Sequence, residues 1–157
     1  MRLIISDSTT IITLLNINRL DVLTNVFSCV YIPTNVYEEI TTKEKITLDE
    51  EFFITKDIKD KKLYNLLLKS LDKGEAQAIV LAKETNLSLI IDEKKGRKIA
   101  TTMGINIFGF IGLLIINHKN KLLSKKDTIV IFNKAKEYNF RVSKKLENDF
   151  LELLEDW

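Results

Sequence analysis

Two apolar runs end on an aspartate, Leu3-Ile4-Ile5-Ser6-Asp7 and Leu89-Ile90-Ile91-Asp92. If both are strands of one parallel sheet, each sets a carboxylate at the same edge, beyond the strand ends where such sheets bind ligands. Two glutamates join them. In Val36-Tyr37-Glu38-Glu39-Ile40, taking Val36 as zero, Ile40 falls at about 40°, Glu39 at about 300° and Glu38 at about 200° around a helix. Glu39 therefore borders the buried stripe while Glu38 faces water. The same arithmetic sets Glu75 one turn before Ile79 and beside Ala78, on an apolar face where a carboxylate is costly unless something positive meets it. Gly74, Ala76 and Ala78 are small, so other elements can approach this backbone closely. Asp7, Glu39, Glu75 and Asp92 gathered at one edge would repel one another unless cations were present. A divalent ion resolves that conflict. Hard oxygen donors with retained waters describe Mg2+ or Mn2+, and such sites activate water and neutralise phosphate oxygens. Each acid also has a plainer role: an aspartate after a strand often caps the next helix, and Asp72-Lys73-Gly74-Glu75 has the spacing of a capping box.

Scarce residues remove rival chemistries. Among 157 residues there is one cysteine, Cys29, and one histidine, His118. Cys/His zinc sites, disulfide frameworks, iron–sulfur ligation and paired-histidine metal motifs all need more, and a catalytic triad is disfavoured. Any metal bound within one chain must sit among oxygens. The 24 Lys and Arg against 22 Asp and Glu leave a formal charge of +2, too little for wholesale capture of nucleic acid, so local clusters matter. Lys94, Lys95, Arg97 and Lys98 start the helix after Asp92, where cations gain nothing from the helix dipole. Lys94 and Arg97 are thus candidate phosphate contacts, although such a run is also an ordinary solvated face. Ser8 and Thr9 either bind phosphate at a helix N-terminus, orient Asp7, or only cap. Lys119, Lys121, Lys125 and Lys126 form a second cluster. His118 reads as a surface residue in a polar turn, Cys29 as inert packing, and Phe108 and Phe110 as core. Trp157 with Leu151, Leu153 and Leu154 would pack on the domain or on a second copy. The opening apolar run is too short for a signal peptide, and Ile105 to Ile116 falls short of the roughly 20 residues of a membrane span. The expected setting is cytoplasmic, with no membrane.

These side chains need a scaffold, and the pattern supplies one. Short Ile/Val-rich runs alternate with helical periodicity, the mark of βαβ units around a parallel sheet. Strands are expected at Leu3–Ser6, Ser28–Ile32, Leu87–Ile91 and Ile105–Phe108. Helices are expected from about Thr9 to Leu15, with a further apolar turn at Leu20–Phe27, after Pro33 as first helical residue, along the stripe Leu63, Leu66, Leu67, Ser70, Leu71, from Asp72 to about Thr85, and over Glu93–Met103 before Gly104. Gly109–Asn117 reads as a buried helix, and Ser124 onward as two amphipathic helices broken near Asn139–Ser143. Thr41–Asp60 is a loop or short strand. No repeat or linker interrupts 1–157, which reads as a single domain with a sheet of four or five strands.

The ordered set Asp7-Ser8-Thr9-Thr10-Ile11-Ile12, Ile32-Pro33 with Val36-Tyr37-Glu38-Glu39-Ile40, Leu71-Asp72-Lys73-Gly74-Glu75-Ala76-Gln77-Ala78-Ile79, Ile91-Asp92-Glu93 with Gly96-Arg97, then Gly104 and Gly109-Phe110-Ile111-Gly112-Leu113-Leu114 resembles the PIN-domain family. The resemblance covers 1 to about 123 and leaves 124–157 as a helical C-terminal extension. It implies a three-layer α/β/α domain whose acidic pocket binds magnesium or manganese and cleaves single-stranded or structured RNA, leaving 5′-phosphate and 3′-hydroxyl ends. Position by position, Asp7 and Asp92 would be metal-binding aspartates, with Glu39 and Glu75 completing the pocket directly or through water. Glu75 stands where many relatives carry Asp, and Glu93 would be a lesser ligand because successive residues at a strand end point apart. Many bacterial members resemble VapC toxins, so a small antitoxin protein is an implied partner, and the same resemblance implies a homodimer. The rival within the family is a catalytically silent PIN-like module that holds RNA or protein. Outside it, a phosphoacceptor receiver usually wants paired acids after the first strand, whereas Asp7 stands between Ser6 and Ser8, and no GxGxxG or P-loop supports a nucleotide-binding Rossmann enzyme.

Overall fold

A computed structural model describes residues 2–138 and 140–155. Five parallel strands, β1 (Leu3–Ser6), β2 (Cys29–Pro33), β3 (Phe53–Lys56), β4 (Leu89–Ile90) and β5 (Ile107–Phe108), lie in the order β3-β2-β1-β4-β5. The chain builds outward from β1 to β3, then returns to the other side of β1 for β4. That reversal creates a crevice between the carboxyl ends of β1 and β4, where Ser6 pairs with Ile90 and the Asp7 amide donates to the Ile90 carbonyl at 3.0 Å. Such switch points are where open α/β sheets take ligands.

Helices cover both faces: α1 (Ser8–Asn16), α2 (Asp21–Thr24), α3 (Thr34–Glu38), α4 (Lys61–Leu67), α5 (Lys73–Thr85), α6 (Lys94–Thr102), α7 (Phe110–Lys119), α8 (Lys125–Glu137) and α9 (Lys144–Glu155). Side chains alternate along each strand, and the two cores follow. Ile4 and Ile90 face α1, α2, α7, α8 and α9, whereas Ile5, Leu89 and Ile91 face α4, α5 and α6. The result is the expected three-layer α/β/α sandwich. It buries both faces, which is why its strands read as continuous apolar runs.

Departures from expectation are local. Pro33 ends β2 in extended geometry, and the helix starts one residue later. Lacking an amide hydrogen, it fits a strand end as well as a first helical turn. The strands expected at Leu87–Ile91 and Ile105–Phe108 are two residues each. The Thr41–Asp60 stretch, expected to be a loop or short strand, does hold the short strand β3. Leu66, assigned to the helical stripe, is 58% exposed, and within α4 only Leu67 is buried. His118, expected at the surface, is buried on the last turn of α7, with Nδ1 3.3 Å from the Leu123 carbonyl. Asn139 and Trp157 lie outside the described residues.

Candidate functional site

Asp7 follows β1 at the crevice and is only 6% exposed. It occupies the N-cap position of α1, yet its side chain makes no cap hydrogen bond there. Burial is the main force that pushes its pKa from 3.8 up to about 7; the Ser8 amide opposes the shift, and the charges of Asp72, Glu39 and Asp92 add to it. A carboxylate buried beside three others is expensive without a cation.

Glu75 is held on the first turn of α5 by a reciprocal capping box. The Glu75 amide donates to Asp72 Oδ1 at 2.8 Å, and the Asp72 amide reaches Glu75 Oε1 at 3.4 Å. The motif caps the helix, and the same bonds hold Asp72 and Glu75 side by side. Glu75 Oε2 is buried without a hydrogen-bond partner among the described residues. Burial first, then Asp72 and Asp7, push the Glu75 pKa up to about 8. Close backbone approach makes this possible. A Cβ added to Gly74 would lie 3.6 Å from Asp7 Oδ1, and one added to Gly96 would lie 3.6 Å from Glu75 Oε2.

Glu39 opens a π-helical turn, Glu39–Lys43, that continues α3. It is half-buried while Glu38 is exposed, as the helical angles require. Its Oε2 accepts the Ser8 hydroxyl, so Ser8 is buried and committed to Glu39, not open to a substrate. Asp92 is fixed at both oxygens: Thr10 Oγ1 donates to Oδ2 at 2.6 Å, and the Phe110 amide at the start of α7 donates to Oδ1 at 3.0 Å. It does not cap the helix that follows it. Glu93 does, its Oε2 accepting the Gly96 amide at 2.9 Å.

Lys94 and Thr9 are exposed. Arg97 is half-buried, and its Nη1 donates to the Ile91 carbonyl at 2.9 Å. The second lysine cluster sits at the far end of α7 from Asp92, and its Lys125 pairs with Glu155 at 2.7 Å. Two residues escaped the sequence reading. Thr10 was visible only as one more residue of the opening motif. Asp72 was read as a cap alone, although its box with Glu75 signals that both face one place.

Among the described residues no ion pair joins Asp7, Glu39, Asp72, Glu75 or Asp92 to a lysine or arginine, and no three of them form a ready-made metal cage. The donor set still fits a hard cation: all oxygen, with buried and unpaired Glu75 Oε2 at hand. Mg2+ in particular binds through one or two carboxylates and keeps its waters rather than needing a protein cage. A cavity of about 580 Å³ opens over Glu39, Asp72 and Gly74, with Lys43 and Lys73 on its wall. Another, of about 540 Å³, opens over Asp92. No helix among the described residues is long and apolar enough to cross a membrane.

No curated protein matches the chain. Its fold is similar to that of a PilT N-terminus domain protein from the hyperthermophilic archaeon Sulfolobus solfataricus, with a TM-score of 0.54 and 22% identity over 75% of this chain and 94% of that one. The family model described as PIN domain matches residues 3–156. With its five-stranded parallel sheet and its acids at the switch point, the chain belongs to the PIN-domain family, whose members are generally nucleases.

Proposed function

We propose that the chain is a divalent-metal-dependent endoribonuclease hydrolysing RNA phosphodiester bonds, and that it is the toxin of a toxin–antitoxin pair. The observation that carries the nuclease reading is the buried pair Asp7 and Glu75, both with raised pKa values and without a cationic partner among the described residues. Mg2+ or Mn2+ at these oxygens would supply charge neutralisation of phosphate and a more acidic water. The chain's own part is positioning. Thr10 and the Phe110 amide hold Asp92, Ser8 holds Glu39, and the capping box holds Glu75, so that little reorganisation is needed when substrate arrives. Lys43 and Lys73, on the wall of the larger cavity, suit an anionic strand.

Purified protein is expected to degrade RNA with Mg2+ or Mn2+ and to stop when chelator is added. Asp7→Asn and Asp92→Asn are each expected to abolish cutting with the far-ultraviolet circular dichroism unchanged. Full activity in both variants rejects the site. RNA binding without cutting by the wild-type chain would instead support the silent-module reading. The toxin reading rests on family resemblance, and a short adjacent gene whose product blocks cutting is its test.

A further inference from the structure

We infer that the cavity beside Asp92 is a subsite for one unpaired RNA nucleotide adjoining the scissile phosphate, completed by Arg141 and Phe140 from the segment between α8 and α9. The inference rests on the ribonuclease reading and specifies where its substrate lies. The cavity, of about 540 Å³, is bounded on one side by Asp92, Arg97 and Phe108 and on the other by Phe140, Arg141 and Leu146. That volume lies within the range that takes small organic groups.

Its chemistry matches a nucleotide. The carboxylate cluster is a poor place for a second phosphate, so the neighbouring phosphate needs cationic donors close by. Arg97 is fixed on the Ile91 carbonyl at 2.9 Å. Arg141 is exposed and makes no hydrogen bond or ion pair among the described residues. Planar guanidinium groups suit phosphate oxygens and also stack on bases. Phe108 and Phe140 are half-buried at the wall, and Phe140 is backed by Phe110 with ring centroids 4.8 Å apart. An aromatic wall accepts any base face. The base must first leave a helix to enter, which selects single strands.

Gly112 makes the same point from the floor. It lies inside α7, where glycine weakens a helix, yet a Cβ there would meet nothing closer than Phe108 Cδ1 at 3.9 Å. Packing does not demand glycine; its effect is open space in the cavity.

The test uses the Asp7→Asn chain with Mg2+, so that cutting does not compete, and measures binding of a fluorescent single-stranded RNA and of its duplex. Adding Arg141→Ala is expected to weaken single-strand binding roughly three- to ten-fold and to lower the salt slope by about one. Gly112→Leu fills the cavity and is expected to weaken binding similarly without lowering the melting temperature; duplex binding stays the same in both. Unchanged single-strand binding in both variants overturns the subsite and leaves the cavity to a protein segment. Cutting assays on the chain with native Asp7 separate the two ideas. If it cuts RNA while the variants bind normally, the subsite falls and the nuclease stands; if it never cuts while the variants bind poorly, the nuclease falls and the cavity stands only as a single-strand binding site.

Discussion

At the scale of single residues, the burial of Asp7 and Glu75, which raises both pKa values, costs stability at neutral pH. A carboxyl whose folded-state pKa lies above its unfolded value binds more protons in the native state between the two values. Stability therefore falls as pH rises through that window, which for Asp7 runs from 3.8 to about 7. At about 1.4 kcal/mol per pH unit, the interval corresponds to roughly 4 kcal/mol at most. Asp7→Asn is accordingly expected to melt at higher temperature than the wild type at pH 8 in chelator, and to lose that advantage at pH 4. On the proposed metal-dependent reading, Mg2+ would compete with protons for these oxygens, so its stabilising effect is expected to grow between pH 6 and 8 in the wild type and to be smaller in Asp7→Asn. Differential scanning calorimetry across pH, with and without Mg2+, checks both. Equal melting of the two proteins at pH 8 would mean that Asp7 is already well solvated. The aspartates were legible in the sequence because each ends an apolar run. The raised pKa of Asp7 was not, since its burial depends on helices from elsewhere in the chain.

At the scale of elements, the site depends on how closely the β5–α7 junction passes behind Asp92. A Cβ on Gly109 would lie 2.6 Å from Arg97 Nη1 and 2.9 Å from Asp92 Oδ1. The backbone there is extended, with φ −101° and ψ 178°, so the obstacle is space: a Cβ must displace the Arg97 or Asp92 side chain. Gly109→Ala is expected to displace the Asp92 carboxylate and reduce cutting about a hundred-fold, the usual scale for a displacement near 1 Å. A kcat within two-fold of wild type would show that the junction yields at no cost to Asp92. The capping box at Asp72 and Glu75 was readable from spacing, because capping is a local hydrogen-bond pattern. The π-helical turn at Glu39 was not, because a single such turn is too short to leave a periodic trace.

At the scale of the whole molecule, the C-terminal helices are part of the core and not an appendage. Phe150 of α9 is 1% exposed and lies 4.8 Å, ring to ring, from Phe132 of α8. Those helices share one cluster with α7, the helix whose first amide holds Asp92. Phe150→Ala is expected to lower stability by about 3–5 kcal/mol, measured by urea unfolding; a loss below 1 kcal/mol would mean that α9 is only loosely attached. The resemblance to relatives stopped near residue 123, yet the family match runs over residues 3–156. The sequence alone determined the alternation of strands and helices, the burial of both sheet faces and the carboxylates at strand ends, because periodicity and capping act over a few residues. Only the tertiary structure decided which groups steady those carboxylates. Thr10 meets Asp92 across 82 positions and Ser8 meets Glu39 across 31. Contacts at such separations come from strand order and helix packing, which local spacing does not encode.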